Sequence, residues 1–94
     1  MNPQSLDVLI AEAELGEEAK KFLESDLGKA VMGFAAQEVE LARINLGKVD
    51  PDDKKLIVTL QNEIKLGERF KEYIMELFQN GEQAKEIYKQ QSQE

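Results

Sequence analysis

The segment Lys48-Val49-Asp50-Pro51-Asp52-Asp53 constrains the fold more than any other part of this chain, because it interrupts two long stretches whose apolar residues recur at helical spacing. Gly47 supplies a helix stop just before it. Asp50 then reads as an N-cap, Pro51 as the first helical residue and Asp53 as an acid in the first turn, with Val49 placed to staple onto that turn. A connection this short requires the two flanking helices to turn back on each other. The expectation is an all-α protein built on an antiparallel helical hairpin.

On the N-terminal side of the turn, Leu27, Ala30, Val31, Phe34, Ala35, Leu41 and Ala42 fall on one side of a helix that advances about 100° per residue. On the C-terminal side, Leu56, Leu60, Ile64, Gly67, Phe70, Ile74, Leu77 and Phe78 do the same, over roughly 45 Å of helix ending at Asn80-Gly81. The steps from Leu56 to Gly67 and from Gly67 to Phe78 are eleven residues each, close to the period of an ordinary helix. A packed bundle therefore fits better than a long heptad coiled coil. Beyond Gly81, Ala84, Ile87 and Tyr88 form a weak apolar stripe in a polar tail.

Before the hairpin, Asn2-Pro3 reads as a cap followed by a first helical proline, and Leu6, Leu9, Ile10 and Ala13 continue at helical spacing. Leu15-Gly16 is expected to end this first helix. Glu17 and Glu18 then suit a new helix start, paired with Lys20 and Lys21 one turn on, and Phe22 and Leu23 give it an apolar edge. A kink or break is expected at Ser25-Asp26. The organisation is one domain: an acidic N-terminal helical arm over 1–24, the hairpin over 25–80 and a polar C-terminal tail over 81–94.

Folding at the turn sets a register in which Leu41 faces Leu60, Phe34 faces Gly67, Val31 faces Phe70, Leu27 faces Ile74 and Leu23 faces Phe78. Phe34 against Gly67 pairs a ring with a missing side chain, giving a role to a glycine that otherwise costs about 1 kcal/mol inside a helix. The same register brings Glu38 to Glu63 on otherwise apolar faces, where an isolated carboxylate is expensive to bury. This pair is the one candidate buried polar site. Three readings stay open for it: exposure or pairing with Lys or Arg, a shared proton, or an all-oxygen site for a divalent cation.

Composition narrows the chemistry sharply. No cysteine and no histidine are present, which removes thiolate catalysis, disulfides, the commonest general base and the commonest transition-metal ligand. The helical carboxylate metal sites of four-helix bundles use Glu-x-x-His pairs, which are missing here. Asp50, Asp52 and Asp53 lack the glycine and distal glutamate of a calcium loop, and Gly28-Lys29 with Gly33 lacks the strand and spacing of a phosphate loop. Ser5, Ser25 and Ser92 have no histidine partner for a hydrolase triad. No catalytic residue and no cofactor is expected.

The net charge of −7, from 19 acidic and 12 basic residues, disfavours direct contact with nucleic acid or an anionic membrane surface. Asp7, Glu12, Glu14, Glu17 and Glu18 precede the first basic residue, so most of the excess lies at the N-terminal end. No apolar run approaches the roughly 18 residues that span a bilayer. A cytoplasmic chain is expected. On the flanks of the long helix's stripe, Ile57, Leu66, Tyr73 and Met75 widen the apolar arc beyond what one partner helix covers, and Leu66, Tyr73 and Met75 are the candidate association surface.

Phe22-Leu23-Glu24-Ser25-Asp26-Leu27-Gly28, then Gln37-Glu38, Val49-Asp50-Pro51, Leu60-Gln61-Asn62-Glu63-Ile64 and Asn80-Gly81-Glu82-Gln83-Ala84, resembles small helical proteins of tailed bacteriophages encoded among packaging and head genes. The resemblance spans about Phe22 to Ala84 and carries no catalytic signature. Aromatic residues often follow Phe70 in such proteins, whereas Lys71-Glu72-Tyr73 stands here. The resemblance implies a phage or prophage setting, in the host bacterial cytoplasm or the virion. The expectation is a non-enzymatic interaction or assembly protein acting through helix-helix association, as a homo-oligomeric helical bundle or with other phage structural or packaging proteins. The alternative is an acidic inhibitor of a basic host nucleic-acid-binding protein, and a metal-dependent enzyme using Glu38 and Glu63 comes third.

Overall fold

The structure, a computed structural model, describes residues 5–92. Three helices make up almost all of it: α1 (Leu6–Glu24), α2 (Asp26–Lys48) and α3 (Lys54–Ser92), with no strand among the described residues. They form two compact bodies. The first combines residues 5–25 with 73–92, and the second is the contiguous stretch Asp26–Glu72.

Each helix boundary has a local cause. Ser5 caps α1, its side chain accepting from the Val8 N–H at 3.2 Å, and Asp7 adds an acid to the positive end of the helix dipole. The expected cap at Asn2-Pro3 lies outside the described residues. At the other end Ser25 leaves the helix with φ −75° and ψ 157°, its N–H shared between the Lys21 and Phe22 carbonyls and its hydroxyl donating to Phe22 O at 2.7 Å. The break expected at Ser25-Asp26 is therefore present, one residue long, and α2 restarts at Asp26.

The turn into α3 differs in detail from the sequence expectation. Asp50 and Pro51 precede the helix, which starts at Lys54. Asp53 N–H donates to Asp50 O at 2.9 Å and Asp52 N–H to Asp50 Oδ1 at 2.9 Å, a β-turn with proline at its second position. Asp53 is the cap, accepting from Leu56 N–H at 3.2 Å. The Asp50 carboxylate is satisfied locally before the helix can use it. Gly47 lies inside the last turn of α2 with no positive φ, so the chain leaves that helix without a left-handed residue.

Two expected stops are absent. α1 runs straight through Leu15-Gly16, and α3 runs through Asn80-Gly81 to Ser92. The reason lies in the packing of the first body, where Gly16 and Gly81 are both buried and face each other. A Cβ on Gly16 would lie 2.6 Å from the Gly81 Cα and 3.0 Å from the Leu77 carbonyl oxygen, and one on Gly81 would lie 2.6 Å from the Gly16 Cα. These glycines bring the two backbones into contact. Leu9, Ala19 and Ala84 complete the buried set of this body, and Lys85 bridges the helices by pairing with Glu17 of α1 while also reaching Glu82. The polar tail expected over 81–94 is thus, as far as Ser92, the last part of α3.

In the second body the buried apolar residues are Val39 and Ala42 of α2 and Leu60 of α3. Gly67 again permits close approach, but its neighbour is Val39: a Cβ on Gly67 would overlap Val39 Cγ2, with Ala35 O at 3.7 Å. Phe34, expected to fill this space, is 64% exposed, and Leu41, expected against Leu60, is 49% exposed. The buried edge of α2 is displaced by part of a turn from the stripe read in the sequence. Arg43 closes this body with an ion pair to Glu68.

Candidate functional site

In the second body, α2 and α3 leave a cleft of ≈ 500 Å³ between them, lined by Val31, Phe34, Ala35 and Glu38 on one side and Glu63, Leu66, Gly67 and Phe70 on the other. Its floor follows from the glycine: with no side chain at Gly67, Val39 packs behind it and the rims stand proud. Leu66 is 72% exposed and Phe34 nearly as much. Large apolar side chains left in water on two adjacent helices represent about 1.5–3 kcal/mol each of unrealised burial.

Glu38 and Glu63 do line the same cleft, as the register required. They are not buried. Both are exposed, no polar or charged residue is buried among those described, and neither has a Lys or Arg within ion-pairing distance among the described residues. Among the described residues no three acidic side chains gather closely enough to hold a metal ion. What the cleft offers chemically is an apolar channel with two solvated carboxylates on its rim.

The association residues named from the sequence, Leu66, Tyr73 and Met75, are all exposed. Leu66 belongs to the second body, Tyr73 and Met75 to the first. Sequence reasoning instead assigned Leu27, Phe34 and Leu41 to the core, whereas they are 70%, 64% and 49% exposed. Their seven-residue spacing was the available signal: it keeps these three side chains together on α2, some 140° from Val39.

The first body has a smaller apolar groove of ≈ 300 Å³ lined by Leu9, Ile10, Ala13 and Tyr88, with Glu14, Lys85 and Lys89 at its edge. Lys85 there is already engaged by Glu17 and Glu82. Among the described residues no helix is long and apolar enough to cross a membrane. Comparison of the chain with models of protein families, with curated proteins and with solved structures finds no match in any of the three.

Proposed function

We propose that this chain is a non-enzymatic association protein: an antiparallel helical hairpin with an N-terminal helical arm that joins copies of itself into an oligomeric helical bundle. The observation that carries this reading is the apolar face of the second body, where Leu27, Phe34, Leu41, Leu66 and Phe70 all stand in solvent.

The setting we propose is a phage or prophage, on the strength of the sequence resemblance, with the assembly of phage particles as the process served. Structural or packaging proteins of the same phage are the further partners in this reading. Sedimentation velocity across the micromolar range tests the core of it. A dimer or larger closed oligomer is the expected result, and a monomer at every concentration refutes self-association.

A further inference from the structure

We infer that the second copy of this chain docks on α2, antiparallel to it, about a two-fold axis passing beside Phe34. This deepens the self-association proposed above and rests on it. Leu27, Phe34 and Leu41 are spaced seven residues apart, so they lie within about 40° of one another on the helix, and all three are exposed. The row is symmetric about its centre. An antiparallel second copy sets Phe34 beside Phe34 of the second copy and Leu27 beside Leu41 of the second copy, so a single patch is complementary to itself, as a two-fold interface requires.

The residues between these anchors favour close approach. Ala30, one turn before Phe34, is exposed on the same side, and its small side chain lets a neighbouring helix come near. Charge chooses the direction. A parallel pair would set the unpaired Glu38 beside Glu38 of the second copy. In the antiparallel pair Glu38 lies level with Ala30 and Val31 of the second copy, and the two Glu38 carboxylates are separated by eight residues of helix, about 12 Å, which exceeds the screening length of about 8 Å at physiological salt.

The chain has no cysteine, so single-cysteine variants report on the interface without background. Phe34→Cys, treated with a short bismaleimide, is expected to give a covalent dimer. Leu27→Cys and Leu41→Cys are expected to cross-link when mixed and not when treated separately, because like positions are then about 21 Å apart. Glu40→Cys, about 120° around α2 from Phe34, serves as the uncross-linked control. Phe34→Lys, a change at an exposed position, is expected to keep its helix content and sediment as a monomer. Cross-linking of Leu27→Cys alone would overturn the antiparallel arrangement. A parent dimer that survives Phe34→Lys and cross-links at none of the three positions would overturn the docking face while leaving self-association standing. A monomeric parent would overturn both.

Discussion

Replacing Gly16 by alanine pits two known effects against each other at one methyl group. Helix propensity favours the change by about 1 kcal/mol, since glycine in a helix interior is the poorest ordinary residue after proline. Packing opposes it. The new Cβ would sit 2.6 Å from the Gly81 Cα, 3.0 Å from Leu77 O and 3.2 Å from Gly81 N, and all three are backbone atoms that no rotamer change can move. Carbon atoms pack best at about 3.5–4.0 Å, so the helices must part by about 1 Å, and a gap of that size forfeits about a quarter to a half of the dispersion energy of contacts along the seam. Overpacking of this kind costs about 1–3 kcal/mol. With the propensity gain subtracted from the middle of that range, the expected loss is about 1 kcal/mol, a fall in Tm of about 4–8 °C for a domain of this size. Thermal melts followed by circular dichroism read it directly. Gly47→Ala is the matched control, because a Cβ there meets nothing within 4 Å, and it is expected to leave Tm unchanged or slightly raised. A Gly16→Ala protein that melts at or above the parent would refute the close crossing of α1 and α3.

Gly67→Ala is expected to destabilise through its clash with Val39, and because that neighbour is a side chain, Val39→Ala in the same molecule should relieve it, with a coupling energy of about 0.5–3 kcal/mol in a double-mutant cycle measured by urea unfolding. Asp53→Ala should cost about 1 kcal/mol as the loss of the α3 cap, and more than Asp50→Ala, which removes only the turn's side-chain bond. Glu38→Gln combined with Glu63→Gln should change stability by less than about 0.5 kcal/mol at any pH, with no response to Mg²⁺, Ca²⁺ or Mn²⁺, since both carboxylates are exposed; a Tm shift by any of these ions in the parent would restore a cation site.

Local signals carried the sequence reading where causes are local. The Ser25 break and the turn after Gly47 arise from residues adjacent in the chain, and the all-helical content follows from apolar spacing. The glycines were misread because their explanation is not local. Gly16 and Gly81 look like helix stops in sequence, and only the contact between positions 65 residues apart makes them interior crossing residues. The cap was misplaced for a smaller reason: Asp50, Asp52 and Asp53 are all competent caps, and the proline commits Asp50 to the turn. At the cleft, the register brought Glu38 and Glu63 to one lining, and of the readings left open for them the exposed one fits the structure. Leu and Phe side chains mark a face as apolar without saying whether the chain itself covers it, and on α2 the smaller Val39 and Ala42 face inward.

The pairing of chain ends in the first body bears on how the protein comes to be folded. Its two segments, 5–25 and 73–92, lie at opposite ends of the chain, whereas the second body is one uninterrupted stretch, Asp26–Glu72. During synthesis, Asp26–Glu72 can close its short-range contacts as soon as it leaves the ribosome, since sequence-local contacts form fastest. α1 must wait with its apolar edge uncovered until Gly81 and Ala84 emerge. The face of α2 that carries Leu27, Phe34 and Leu41 belongs wholly to the early body. Two nascent chains on neighbouring ribosomes would therefore have the means to meet before either has finished its own fold.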